Sequence, residues 1–453
     1  MNRDKPFESW RRKAIVSCSA AALSLAMLAA AARGGDAWPQ FRGPGGQGHA
    51  DDAELPLTWS EAEGVAWKTP IVGRGWSSPV VANGRIWLTT AEERPATDAQ
   101  REKSIQAAGA IGPVNAMAVA ASVRLSAVEV DLATGNVLRQ IKLFDVESPP
   151  PIHGLNSFAS PTPALAGGLV LCHFGAMGTA CIDEASGDVL WRRKLEINHI
   201  VGPGSSPIIY HGLAIITCDG GDKQYIAALD LKTGEPRWRV DRPPMRNDNP
   251  DLRKAYSTPL VYSFGGRDQM VIPGAQWFIS YDPATGDELW RVDHGSGFSN
   301  VPAPIFENGT TYLDTGFGKA QLWAVRVDGS GDVTDTHVLW RHLQQMPTMP
   351  SPVISGGRVF VISDGGVASC LGAETGEVLW RERVPGQYSA SPLLGAGRVY
   401  FCSHEGRTTV IAASDKFEKL AENQLDGKLM ASPAAVEGDL ILRTDTHLYR
   451  ISR

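Results

Sequence analysis

A unit of four short strands recurs eight times along the chain, and this repeat constrains the fold more than any other feature. Each copy opens near a Ser, Thr or Ala that precedes a proline, at Pro79, Pro161, Pro207, Pro259, Pro304, Pro352, Pro392 and Pro433. The spacings are 82, 46, 52, 45, 48, 40 and 41 residues, a blade-sized period with one long insertion. The copy from Ser351 to Arg381 reads as strand, Gly356-Gly357 turn, strand, loop, strand, Thr375-Gly376 turn and a last strand ending near Trp380. A sheet of four strands cannot bury both faces alone, so the units must stack. Radial stacking closes a ring and leaves only short edges. The expected fold is all-β: an eight-bladed β-propeller of four-stranded antiparallel blades.

Individual positions have physical roles in this repeat. In Asp230-Leu-Lys-Thr233-Gly234 and Asp282-Pro-Ala-Thr285-Gly286 the Asp can accept from the backbone ahead of it, and the Gly can take the positive φ that closes a hairpin. Trp191, Trp238, Trp290 and Trp380 follow such turns at the outer strand and are expected to lie against the neighbouring blade. After Pro433 there is room for only three strands, near 434–437, 439–444 and 447–451, while an orphan strand, Val65-Ala66-Trp67-Lys68, precedes the first repeat. The N-terminal strand is therefore predicted to complete the eighth blade and fasten the ring. The 48 glycines and 30 prolines suit a turn-rich chain and exclude coiled coil, and with 43% hydrophobic residues disorder is excluded as well.

The first 37 residues read as a signal peptide: basic Arg11-Arg12-Lys13, an Ala/Leu-rich run from Ala14 to Ala32, and small residues at Gly35-Asp36-Ala37. The alternative is an uncleaved inner-membrane anchor. Cys18 is a weak lipidation candidate because only four apolar residues precede it, and Arg11-Arg12 lacks the flanking residues of a twin-arginine signal. The expected organisation is a signal peptide at 1–37, an N-terminal extension at 38–64 and the propeller at 65–453, with a blade-one insertion at about 91–123 that could hold a short helix. Periplasmic or secreted localisation follows. Removing the leader takes six basic and three acidic residues and moves the net charge from −6 to −9, which argues against nucleic acid. Five cysteines remain, with no Cys-x-x-Cys among them. A Cys172–Cys181 disulfide across one hairpin is the alternative to buried free thiols.

Loops on the two faces of such a ring differ. The turns at Asn83-Gly84, Gly167-Gly168, His211-Gly212 and Asn308-Gly309, with the Thr-Gly hairpins, are minimal and mark an inert face. The other loops are longer and chemically mixed, and they supply the candidate ligand- or partner-binding residues: Arg74, Trp76, His153, Asn156, His173, His199, Asp222, Arg253, Lys254, Trp277, Asn300, Lys319 and His404. These are expected to converge at one mouth of the central channel. No nucleophile elbow, P-loop, zinc-protease motif or dense acidic pair occurs, so no catalytic residue and no metal site is expected. The acidic hairpin from Asp328 to Asp335 lacks EF-hand spacing and its closing Glu, and reads as a solvated loop. Gly43-Pro-Gly45-Gly-Gln-Gly48 satisfies a dinucleotide pattern only on paper, having no strand before it and no helix after it.

The unit Ala228-Leu-Asp230-Leu-Lys-Thr233-Gly234-Glu-Pro-Arg-Trp238 resembles the tryptophan-docking repeat of quinoprotein eight-bladed propellers, and the opening Trp38-Pro-Gln-Phe-Arg-Gly-Pro resembles secreted PQQ-binding-like β-propeller repeat proteins. The resemblance implies one of two branches. Pyrroloquinoline quinone (PQQ)-dependent dehydrogenases carry adjacent cysteines, a Trp floor and Ca²⁺ beside a catalytic Asp; here no Cys-Cys pair exists. BamB-like propellers need only a stable ring and an interactive face. The resemblance therefore implies a non-enzymatic, monomeric scaffold without cofactor, contacting envelope or outer-membrane proteins. A PQQ- and Ca²⁺-dependent alcohol or sugar oxidoreductase is one alternative. A propeller binding carbohydrate through Trp76 and Trp277 is the other.

Overall fold

The computed structural model describes residues 35, 37–50, 54–108 and 114–453. The signal-peptide reading and Cys18 lie outside these residues. Among the described residues no helix is long and apolar enough to cross a membrane.

Eight antiparallel meanders succeed one another along the chain, as the repeat predicts. In a typical blade the innermost strand, Ile208–Tyr210, is followed outward by Leu213–Asp219, Gln224–Asp230 and Pro236–Asp241. The burial pattern explains the sequence pattern. Middle strands such as Leu169–His173 are buried on both faces and read as continuous apolar runs, whereas the outer strand Pro236–Asp241 alternates. The core lies in the seams between blades: Cys181 and Trp191 of blade two pack with Ala214, Ile216 and Tyr225 of blade three.

The ring closes as predicted. Val65–Pro70 pairs antiparallel with His447–Ile451, beside Asp439–Arg443 and Ala434–Val436. Four outer tryptophans dock on the turn of the next blade. Trp191 donates from Nε1 to Leu231 O at 2.9 Å, and its ring lies 2.6 Å from where a Cβ on Gly234 would sit. Gly234 therefore has two reasons to be glycine, a φ of 70° and a tryptophan overhead. Trp67 over Gly135, Trp238 over Gly286 and Trp340 over Gly376 repeat the arrangement. Trp290 departs from it and bonds Gln269 of its own blade at 2.8 Å. Blade five has no Thr-Gly turn to receive it.

Several expectations are corrected. The marker of blade two is Pro163 rather than Pro161, because Thr162 occupies the position of Ser78 and Ser206 in a ring of hydrogen bonds described below. Cys172 and Cys181 do not pair: they stand in register with Ala180 and Leu171 respectively, so their side chains enter different seams, and all five described cysteines are free and buried. The acidic hairpin is solvated at Asp328, Asp332 and Asp335, as expected, and is also a clasp. Its Gly331–Asp332 pairs parallel with the outer strand of blade four, Val333 is buried, and Asp293 N–H donates to Thr334 Oγ1 at 2.8 Å. The blade-one insertion is shorter than expected, since strands Arg85–Pro95 and Ala120–Asp131 extend into it; a helix, Asp98–Ala108, does occur there, with no buried residue.

Candidate functional site

The innermost strands leave one backbone edge facing the axis, and that edge needs hydrogen-bond partners. At one end of the channel, residues 38–50 supply them. Trp38 exchanges both backbone hydrogen bonds with Val81, Leu165 N–H donates to Pro39 O at 2.8 Å, Phe306 N–H to Gln47 Oε1 at 2.6 Å, and Leu394 N–H to Gly48 O at 2.8 Å. His49–Ala50 runs parallel to Leu393–Gly395 as a fifth strand of blade seven. The Arg42 guanidinium, fully buried, donates to Gln47 O and Pro352 O, and burial lowers its pKa to about 9. The supposed dinucleotide motif and the Trp38-to-Pro44 stretch are thus a plug that touches blades one, two, five, six and seven. Phe41 of the plug faces the channel as its floor.

Above this floor runs a belt of hydroxyls. The backbone N–H of Ser78 donates to Thr162 Oγ1, Thr162 to Ser206 Oγ, Ser206 to Thr258 Oγ1, Ala303 to Ser351 Oγ, Ser351 to Ser391 Oγ, Ser391 to Ser432 Oγ and Ser432 to Ser78 Oγ, all at 2.9–3.1 Å. Only the junction of blades four and five lacks this bond, because Ala303 has no hydroxyl; there Ser257 Oγ donates to Pro302 O at 2.8 Å. This is why Ser or Thr precedes the marker prolines. The proline cannot donate, so the belt residue is the last free N–H before the strand.

Belt, floor and loops enclose a central cavity of about 410 Å³ that opens on the long-loop face. Of the thirteen sequence candidates, Trp76, His153, Asn156 and Lys254 line it. Lys254 is buried; its ammonium donates to Asp251 O at 2.7 Å and pairs with the Asp251 carboxylate, and burial lowers its pKa. His404 stands one step back, its Nε2 2.8 Å from Ser389 Oγ on the cavity wall. Arg74 braces the rim through Asn156 O at 2.9 Å and Glu93 at 3.1 Å.

The remaining candidates are placed elsewhere. His173 is not in a loop: it ends strand Leu169–His173, fully buried against Thr179 at 2.8 Å. Asn300 is buried and donates to Asp314 O at 3.1 Å. Trp277 sits at the edge of blade four beneath Arg246 and Arg291, away from the cavity. Lys319 is exposed and Arg253 half-buried in its loop, and neither reaches the cavity wall. His199 lies in the loop between Val189–Arg193 and Ile208–Tyr210, and Asp222 in the turn between Leu213–Asp219 and Gln224–Asp230. Residues missed in the sequence are Phe41 below and Phe298, Phe317, Leu155, Met349 and Met430 around the mouth. Phe317 and Leu155 are 59% and 49% exposed. Unexplained apolar residues inside otherwise polar loops were the available signal.

The geometry can be set beside known proteins. A family model described as outer membrane protein assembly factor BamB matches the chain over residues 57–240, 124–276, 222–351 and 275–429, overlapping placements that step round the ring. The chain belongs to this family. Among solved structures it is similar to BamB from Moraxella catarrhalis, at 14% identity and a TM-score of 0.54 over 76% of this chain and 93% of that one. It is also similar to the quinohemoprotein alcohol dehydrogenase from Comamonas testosteroni, at 12% identity and 0.58 over 92% and 80%. A computationally designed protein, Ika8, matches at 12% identity and 0.52 over 88% and all of that chain. At these identities the likeness is one of fold. No curated protein sequence matches the chain.

The residues present do not fit a calcium-bound quinone. PQQ carries several carboxylates, which require cations; among the described residues the one cation on the cavity wall, Lys254, is already committed to Asp251. Among the described residues no three His, Cys, Asp or Glu side chains gather to hold a metal. The five described cysteines all lie buried in strands between or within blades, so none faces the cavity mouth as a redox pair.

Proposed function

We propose that this protein is an exported, non-enzymatic binding propeller that serves envelope or outer-membrane protein assembly, engaging partners through the open mouth of its channel. One observation carries the reading: the mouth exposes apolar side chains, Leu155 and Phe317 foremost, above a belt of hydroxyls already engaged by backbone N–H groups. Exposed aromatics rimmed by polar residues are the anatomy of a protein contact surface. Membership of the BamB family supports the same reading. A monomer in the periplasm or outside the cell, with no nucleic-acid partner, agrees with the leader-like N-terminus and acidic charge.

The test is chemical cross-linking in envelope fractions with the wild type and a Phe317→Ser/Leu155→Ser variant. Outer-membrane assembly proteins are expected on the wild type and absent from the variant. Saturable binding of PQQ with Ca²⁺, followed by dye-linked alcohol oxidation, would overturn the proposal in favour of a quinoprotein.

A further inference from the structure

The hydroxyl belt has hydrogen-bonding capacity that the fold does not use. A serine or threonine hydroxyl offers one donor and two lone pairs, and accepting a backbone N–H takes up one lone pair only. Five belt hydroxyls follow one another without a break from blade eight to blade four: Ser432, Ser78, Thr162, Ser206 and Thr258. Each accepts a backbone N–H, and among the described residues none of the five has an acceptor for its own O–H. Across the ring the pattern is broken, since Ser391 Oγ donates to Ser351 Oγ at 2.9 Å. The five residues are only 2–7% exposed, and all line the central cavity. Their O–H groups must therefore find acceptors in whatever occupies that cavity.

The charge behind this arc has one sign. Arg443, at the end of strand Asp439–Arg443 in blade eight, is buried and donates from Nη1 to Ser77 O, Ser77 Oγ and Thr89 O at 2.6–3.0 Å. Ser77 stands next to belt residue Ser78. Below the belt, Arg42 of the plug is bonded to Gln47 O and Pro352 O. Among the described residues neither guanidinium has a carboxylate partner; burial lowers the pKa of Arg443 to about 9, so it stays charged at neutral pH. The nearby acidic groups are occupied. Asp251 on the wall is paired with Lys254, and Asp364 of blade six, opposite blade two, accepts from Thr348 N–H at 2.7 Å and Thr348 Oγ1 at 2.9 Å. Cations buried without a counter-ion favour negative charge in the space beside them.

We propose that the arc from Ser432 to Thr258 seats a single carboxylate carried on an apolar body, a small monocarboxylate that enters through the open mouth. Hydrogen bonds from hydroxyls to a carboxylate are charge-assisted and stronger than those to a neutral acceptor. Phe298, Phe317, Met349 and Met430 around the mouth supply the apolar contact, and a volume of about 410 Å³ lies in the range of small-molecule sites. The several carboxylates of a quinone need cations that the wall lacks, whereas one carboxylate is met by neighbouring hydroxyls with the Arg443 charge behind them. The assignment rests on the reading of the open mouth as a binding site and adds the chemistry beneath it.

The test compares 4-phenylbutyrate with 4-phenylbutan-1-ol, probes of similar shape that differ in the carboxylate, by titration calorimetry on the isolated mature protein at neutral pH. The carboxylate is expected to bind saturably and at least tenfold tighter than the alcohol. Ser78→Ala/Ser432→Ala removes two adjacent donors and is expected to weaken 4-phenylbutyrate at least fivefold while leaving the alcohol unchanged. Met430→Trp, which fills the cavity, is expected to abolish both, and it serves independently if the double variant fails to fold. Equal affinities in the wild type, no saturable 4-phenylbutyrate binding at millimolar concentration, or binding that survives Met430→Trp unchanged would overturn the assignment. Because calorimetry uses the isolated protein, its failure leaves the cross-linking result untouched, and loss of the cross-links leaves the calorimetry untouched.

Discussion

The two ends of the channel are made from the same eight repeats and have opposite characters. At the plugged end, two-residue turns with paired positive φ, such as Asn83-Gly84 and Gly356-Gly357, recur blade after blade, and residues 38–50 satisfy the inner strand edges. At the open end the loops vary in length and composition, although the turns at Ser363–Gly366 and Ser403–Gly406 share one hydrogen-bond pattern, and apolar side chains are left in water. Where geometry must repeat, the sequence repeats. Where it departs, the departures assemble cavities.

The largest effect is expected from deleting residues 38–70, which removes both the plug and the outer strand of blade eight. The inner edges would lose their partners and the ring its fastening, so the deletion should abolish cooperative melting and cause aggregation. Scanning calorimetry and size-exclusion chromatography read this directly. A monomer with an unchanged melting curve would break the claim that the closed end holds the fold.

Next comes the seam. Trp191→Ala empties a buried indole site and orphans Leu231 O, an expected loss of about 3–5 kcal/mol in denaturant unfolding. Gly234→Ala places a methyl against the same ring and demands a positive φ of alanine, so it should also destabilise, by about 1–3 kcal/mol. A stable Gly234→Ala would show that the tryptophan dock is loose.

These elements were legible because their causes are local and repeated. Asp230 Oδ1 accepts from Lys232 and Thr233 N–H, a bond readable from Asp-x-x-Thr-Gly, and the missing outer strand of blade eight pointed to Val65–Pro70. The belt was half-legible: the Ser-Pro marker was visible, but its hydrogen bond crosses to the next blade, so the register slip between Pro161 and Pro163 could not be detected. The plug and the His199 loop were not legible as such. Their residues act through partners distant in the chain, 24 positions for Asp222 and Asn198 and 310 for Arg42 and Pro352, and no local pattern encodes that Phe41 meets the axis or that Asp222 holds Asn198.

The loop end also differs in its response to acid. Burial holds His199 and His294 down to about 4 and His173 to about 3, against roughly 6.5 in the unfolded chain. A native state that refuses protons the unfolded state takes up is most stable above pH 6.5 and loses that stability as pH falls toward 4. Each buried imidazole contributes on the order of 2–3 kcal/mol to this loss. Asp314, Asp219 and Glu93, whose pKa values burial raises, act in the opposite sense, so the measurement is cleaner in Asp314→Asn. Melting temperature should fall steadily from pH 6.5 to 4.5, above the window in which the depressed carboxylates titrate. A flat profile would show that these histidines are not buried in the neutral form.

The smallest effect on stability is expected where the functional claim is strongest. Phe317 and Leu155 contribute little to the core, so Phe317→Ser and Leu155→Ser should each change unfolding free energy by less than about 0.5 kcal/mol. Removing exposed apolar surface reduces the penalty of leaving it in water, so the sign can even be favourable. The same substitutions should remove the cross-links to envelope proteins, because a few central aromatic or aliphatic anchors carry most of an interface's energy. Stability and binding would then separate along the channel: plug and seam variants unfold the ring, while mouth variants leave it intact and silent. If the mouth variants instead lower the melting temperature as Trp191→Ala does, those side chains belong to the fold, and the open end is merely an irregular version of the closed one.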